Sequence, residues 1–196
     1  MRITKEKAAE NRLALVQAAA RLFRERGIDG VGVAEISKAA GLTHGALYAH
    51  FPTKEALAAE ALAYGIGRGN AFMKTLGENG NPGLGDYLDY YMSAQQRDNI
   101  AASCSMGASA SEIGRQDSNT SASFMDGYIE LVAAVQATLG ESHSTATARQ
   151  RALAIVTGMI GCVAVARATA KADPELSDEI LAAMRSILGE MGGERR

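Results

Sequence analysis

The chain has 196 residues, long enough to bury a substantial core as one domain or as a small domain joined to a larger one. Hydrophobic residues make up 47% and charged residues 21%, which excludes an intrinsically disordered chain. The net charge of −2 is unevenly spread: residues 1–54 hold nine Lys/Arg against five Asp/Glu, residues 55–196 eleven against seventeen, so a basic head suited to a polyanion precedes an acidic body. Residues 5–26 read as a first helix, with Leu13, Val16, Ala20 and Phe23 at three- and four-residue steps, Thr4 as its cap and Gly27 as its end. Arg12, Arg21, Arg24 and Arg26 fall on its polar face, and Arg2, Lys5 and Lys7 at its start. Either these charges form a solvated face, or Arg2, Lys5 and Lys7 approach the phosphates of a bound nucleic acid.

Ile28–Gly32 is a glycine-rich loop that leaves Gly32 at the cap of the next helix. From Val33 to Lys54 the chain reads VAEISKAAGLTHGALYAHFPTK. Val33, Ile36 and Ala40 share one face of a short helix, and Gly41 supplies the left-handed residue that ends it, with Leu42 packing just beyond. Thr43 then caps a second short helix whose buried side is Leu47 and Phe51. Two helices of roughly seven to nine residues around a glycine turn form a helix-turn-helix, which lays its second helix in the DNA major groove. Thr43, His44 and Gly45 are expected against the groove: His44 donates to or accepts from a base edge, and Gly45 lets the helix sit close to the duplex. Tyr48 either packs its ring or reaches a phosphate with its hydroxyl, and His50 either contacts phosphate or closes the helix end. Lys54 follows the cap Thr53 and so lies in a first helical turn, where a cation opposes the helix dipole. A bound phosphate accounts for it, because free amides and the ammonium then converge on one anion.

The run Thr43-x-x-x-Leu47-Tyr48-x-His50-Phe51-x-x-Lys54, after Ala39-Ala40-Gly41, resembles the signature of TetR-family one-component transcriptional regulators. The resemblance covers the first quarter of the chain; the remainder is similar in length and helical character. It implies an all-α fold with an N-terminal three-helix helix-turn-helix DNA-binding domain, residues 1–53, and a helical effector-binding and dimerisation domain, residues 54–196. It also implies a dimeric repressor on a palindromic double-stranded operator, released by a small apolar or aromatic effector. The family commonly has a threonine near Gly32, so a side-chain cap and its phosphate contact are absent here.

A long helix is expected from Lys54 to about Leu76, burying Leu57, Ala61, Tyr64 and Ile66. Gly65, Gly67 and Gly69 each cost about 1 kcal/mol relative to alanine within it, and mark either a bend or close helix packing. Gly77–Gly85 is a loop. Further helices are expected near 84–98, 103–114, 118–139, 145–171 and 176–191, with breaks at Glu141–Ser144 and at Asp173–Pro174. Ala152, Ile155, Val156, Met159, Ile160, Val163 and Ala166 surround their helix, while Leu176, Ile180, Met184, Ile187 and Met191 form a stripe on the last one. One chain scarcely covers both, so a two-fold homodimer is expected through Ile155, Met159, Val163, Ile180, Met184 and Ile187, with Gly158 and Gly161 admitting the partner's backbone. The alternative is burial within the monomer.

Tyr64, Phe72, Tyr87, Tyr91, Cys104, Met106, Phe124 and Tyr128 fall at helical spacing in the body and read either as core or as pocket wall; the resemblance implies a small-molecule site there. Cys104 lies near a helix start, where a thiolate is stabilised, so redox or electrophile sensing through Cys104 is an alternative mode of release. A helical ligand-binding protein that does not engage DNA is another. Cys162, amid apolar neighbours, is expected to be inert. Two cysteines imply no disulfide framework and suit a reducing compartment. No secretory signal is expected, since MRITKEKAAENR is charged and lacks an apolar core. The longest apolar run, near 152–166, falls short of the ~20 residues of a membrane span, so a cytoplasmic protein without a membrane partner is expected. The sequence shows no nucleophile elbow, phosphate-binding loop or metal-spaced cluster, so neither catalysis nor a cofactor or metal is expected.

Overall fold

The computed structural model describes residues 4–140 and 145–193. Arg2, the expected break at Glu141–Ser144 and the polar end Glu194–Arg196 lie outside them. Among the described residues ten α-helices follow one another: α1 (Lys5–Arg26), α2 (Val33–Ala39), α3 (His44–Tyr48), α4 (Lys54–Met73), α5 (Leu84–Tyr91), α6 (Ala94–Asp98), α7 (Ser105–Ile113), α8 (Ser118–Thr138), α9 (Thr145–Thr169) and α10 (Pro174–Gly192), with one 3-10 turn at Glu78–Gly80. The all-α architecture is as expected.

The head is α1–α3. The Lys7 amide donates to Thr4 Oγ1 at 3.2 Å, and Gly27, at φ 77°, ends the first helix. Leu15, Val16, Ala19, Ala20, Leu22 and Phe23 are buried, whereas Leu13, expected inside, is 48% exposed. The buried arc of α1 centres on Leu15, Ala19 and Leu22 because α1 packs against both α2 and α4. Ile36, Leu47 and Phe51 complete the head's interior, and the apolar core continues from them through Leu57 and Ile66 of α4 to Leu88, Leu131, Ile155 and Met159 in the body.

Helix α4 runs unbroken through its three glycines and ends three residues before the expected Leu76. Close packing accounts for Gly65, where an added Cβ would stand 2.3 Å from Ser105 Oγ, but not for Gly67 or Gly69, where it would meet nothing within 4 Å. The helix expected over 84–98 is two: Ser93 Oγ accepts the Gln96 amide at 3.2 Å, a side-chain cap that starts α6 and ends the continuity of α5. Helix α10 starts at Pro174 rather than 176, with Asp173 accepting the Leu176 amide at 2.9 Å. The proline expected to lie in the break instead occupies the first turn, where its missing N–H costs nothing.

Helix α9 needs two corrections. At 25 residues, with a mean hydropathy of 1.8 in its most apolar stretch, it is long and apolar enough by composition to cross a membrane. It is packed instead against α5, α6, α7, α8 and α10. Ile155, Met159 and Val163, expected at a dimer interface, are fully buried within the single chain. The monomer covers them because five helices surround α9 rather than one. Gly158, expected to admit a partner's backbone, faces its own α10: an added Cβ would lie 3.1 Å from both Leu188 methyls.

The α4–α8 contact is equally tight, since a Cβ at Gly127 would fall 2.3 Å from Ile66 Cγ2 and 3.2 Å from its Cβ. Gly127→Ala should therefore lower stability by about 1 kcal/mol or more through overpacking, despite the gain in helix propensity. Gly67→Ala, with open space around it, should raise stability by up to about 1 kcal/mol. Thermal melts of the two variants, expected to move in opposite directions, check both.

Candidate functional site

The turn between α2 and α3 is set by backbone hydrogen bonds. The Leu42 amide donates to the Ser37 carbonyl at 2.9 Å and the Gly41 amide to the Lys38 carbonyl at 3.1 Å, a Schellman closure with Gly41 at φ 70°. Helix α3 is shorter than expected, at five residues. Thr43 precedes it without the expected side-chain cap: its carbonyl accepts the Ala46 amide at 3.0 Å and the residue is exposed. His44 and Gly45 are exposed on α3, and a Cβ on Gly45 would meet nothing within 4 Å, so packing within the chain places no demand for glycine there. Tyr48 is 48% exposed, its ring edge-on to His44 at 5.4 Å, so it is not a core tyrosine. His50 and Lys54 are half-buried at the two ends of the Ala49–Thr53 link. Thr53 Oγ1 accepts the Ala56 amide at 3.2 Å, which places Lys54 in the first turn of α4.

The basic side chains of the head divide into two sets. Arg12 forms a two-pronged pair with Glu60 of α4 and lies over the Phe51 ring at 4.6 Å. Arg26 pairs with Glu35, Arg21 with Glu25 at 3.1 Å, and Arg24 Nε donates to the Ala101 carbonyl at 2.9 Å. The arginines expected as a solvated face are thus largely ties, two of them reaching α4 and the α6–α7 connection. Lys7 pairs with Glu10 at 3.1 Å. Lys5, Lys38 and Lys54, in contrast, have no carboxylate within ion-pair distance among the described residues, so their charge is available to an outside anion.

A cavity of about 650 Å³ lies between the head and the body, walled by α1, the end of α2, α4, α5 and residues 96–104. Of the residues expected around a ligand, Tyr64, Phe72, Tyr91 and Cys104 line it. Tyr87 and Met106 are buried in the core, and Phe124 and Tyr128 stack on each other at 6.4 Å elsewhere on α8, with the Tyr128 hydroxyl 2.9 Å from Thr157 Oγ1. Gln17, Arg21, Arg24, Arg68, Tyr90 and Gln96 complete the polar and aromatic part of the lining. The arginines went unread as wall residues, although Arg24 stands four residues after buried Ala20 and so on the inward side of α1. Burial and the neighbouring Arg68 lower the Arg24 pKa from its usual value.

Cys104 caps α7, half-buried, and its Sγ accepts the Tyr91 hydroxyl at 2.9 Å. Burial and the adjacent thiol hold the Tyr91 phenol well above its usual pKa, so it stays a donor. Cys162 is buried, and desolvation pushes its thiol up to about 11, which keeps it protonated and unreactive as expected. Among the described residues no three His, Cys, Asp or Glu side chains come together as a metal site.

A helix-turn-helix head with an exposed second helix, joined to a larger helical body through a shared cavity, defines the class. Comparison with known proteins shows what the head is similar to. Residues 15–61 match the pattern described as bacterial regulatory proteins, tetR family. The chain is 44% identical over 59 residues to the HTH-type transcriptional regulator AcrR of Shigella flexneri, a match of 30% of this chain and 27% of that protein. It is 48% identical over 54 residues to the HTH-type transcriptional repressor BepR of Brucella suis, covering 28% and 26%. These matches span about a quarter of the relatives' length. The whole fold is shared with the reduced form of E. coli NemR (TM-score 0.75, 19% identity, 92% of this chain and 95% of that one) and with a TetR transcriptional regulator from Chloroflexus aurantiacus (0.75, 23%, 97% and 98%).

Because the head's turn relies on a left-handed residue, Gly41→Ala should cost about 1–2 kcal/mol through backbone strain alone, as the added methyl would meet nothing within 4 Å. Denaturant unfolding of the variant, with an unchanged m-value, checks this.

Proposed function

We propose that the protein is a ligand-responsive transcriptional repressor that binds a palindromic operator as a homodimer in the cytoplasm and leaves it when a small molecule binds. The observation that carries this reading is the exposed face of α3, with His44, Gly45 and Tyr48 outward and the unpaired Lys54 ammonium at the start of α4. In it, residues 1–53 read DNA and residues 54–196 bind the effector and a second copy. Thr43 and His44 meet base edges, Gly45 allows close approach, and Tyr48, His50 and Lys54 meet phosphates.

The dimer face is revised from the buried side of α9 to its outer side. Val165 is 50% exposed and Gly161 is open, while on α10 Ile187 is 52% and Leu176 42% exposed, with Ile180 and Met184 half-buried beside them. Four such helices meeting about a two-fold axis would place two heads roughly 34–36 Å apart, in successive major grooves. Arrival of the effector in the cavity shared by head and body would favour another spacing and weaken operator binding by its differential affinity for the two states. The contact between Tyr91 and Cys104 in the cavity wall supports a second mode of release, in which an electrophile or oxidant modifies Cys104. A Cys104→Ser variant that still releases DNA on electrophile treatment excludes that mode.

Lys54→Ala should weaken binding similarly on all sequences and reduce the salt slope by about one per half-site, whereas His44→Ala should shift base preference by about 1–3 kcal/mol at one position. Fluorescence anisotropy with operator and scrambled duplexes at several salt concentrations measures both. Affinity for the native upstream palindrome no better than for random duplex would leave the protein a helical ligand-binding protein that does not engage DNA. Val165→Glu combined with Ile187→Glu should yield a folded monomer in light scattering; a persistent dimer would move the interface elsewhere.

A further inference from the structure

We propose that the cavity between head and body takes a small organic anion with a flat apolar frame, an aromatic carboxylate being the simplest case, with its charge held by Arg24 and Arg68. The proposal rests on the effector reading above and adds a negative charge to its small apolar or aromatic ligand. Three arginines, Arg21, Arg24 and Arg68, line the cavity, and no Asp or Glu does, although the body as a whole is acidic. Arg21 is neutralised by Glu25 at 3.1 Å. Arg24 is not: Nε donates to the Ala101 carbonyl and Nη1 lies 3.3 Å from Ser105 Oγ, both uncharged acceptors. Arg68 has no ion pair among the described residues, and its guanidinium lies 5.9 Å from the centre of the Tyr64 ring. Two cations without a carboxylate partner therefore face one cavity, Arg24 partly buried and Arg68 exposed, and Arg68 repels the Arg24 charge. An anion between them removes that repulsion and gains two charge-assisted partners.

The remaining walls set the rest of the ligand's character. Phe72 and Tyr90 meet at 5.0 Å, and with Tyr64 they offer flat apolar surfaces, while the Gln17 amide donates to the Tyr64 hydroxyl at 3.0 Å and fixes that ring. The volume is that of sites for drug-sized molecules. A cationic ligand is repelled by such a site, and a neutral one leaves both guanidinium groups unmatched. The placement of the cations also ties charge to regulation: Arg24 belongs to α1 of the head and Arg68 to α4, so an anion drawn between them acts on the joint itself.

The test uses the full-length protein and three probes of one shape: 2-naphthoate, its neutral amide 2-naphthamide, and the cation 2-naphthylmethylammonium. Calorimetric titration should show the acid binding at least about tenfold tighter than the amide and the ammonium ion weakest. Arg68→Gln, an exposed position, should remove the preference for the acid and leave the melting temperature of the free protein unchanged. Equal affinity for acid and amide, or a preference that survives Arg68→Gln, overturns the proposal. Operator release is scored separately: release by the amide as readily as by the acid keeps the regulator and sinks the anion. A charge preference that depends on Arg68, in a protein indifferent to operator DNA, upholds the anion and sinks the regulator.

Discussion

One unbroken helix, α4, starts directly after the head and packs against α1 of the head and α7 and α8 of the body, so it joins the two. Its first turn carries Lys54; its next turns bury Leu57, Ala58 and Ala61 with the head's interior; its later turns bury Ile66 and Asn70 against α7 and α8. The Asn70 side chain donates to the Gly127 carbonyl and to Glu130, both at 3.0 Å, so its second half is fastened to α8 by hydrogen bonds as well as by close packing. The cavity borders this same helix along Tyr64–Met73, so the wall of the cavity and the start of α4 beside α3 belong to one continuous element.

The joint is reinforced by side chains that cross it. Arg12 reaches Glu60, Arg24 reaches the Ala101 carbonyl, and Glu112 accepts the Asp29 amide at 3.1 Å. Exposed pairs of this kind contribute little to stability individually, but they restrict the relative orientation of the parts they link. The same crossings dispose of most of the positive charge on α1. Among the described residues, Lys5 at the start of α1 and Lys38 and Lys54 on either side of α3 are left without an ion pair, and in the cavity Arg24 and Arg68 are. Charge is thus sorted by position into ties within the chain and into sites open to an outside anion.

The head was largely legible in the chain because its determinants are local. A left-handed glycine, a helix start at Thr53 and apolar residues three or four apart act over a few residues, and Gly41, Lys54, Leu47 and Phe51 stand where their spacing placed them. Local signals also misled. The apolar spacing over 84–98 suits one helix, yet the Ser93 hydroxyl starts a new one, and Pro174, a break by its type, is accepted in a first turn. Thr43 looked like a cap because its type favours caps, yet its carbonyl and not its hydroxyl closes the turn.

The sequence by itself determined the class of fold, the helix-turn-helix and the residues presented on α3, because periodicity and backbone preference are properties of neighbouring residues. Only the tertiary structure decided which sides of α9 and α10 face inward, which aromatic residues border the cavity, and which arginines are tied or free. Those outcomes depend on partners such as Ala101 for Arg24, 77 residues apart along the chain. No pattern within one helix carries the identity of the surface that another helix brings to it.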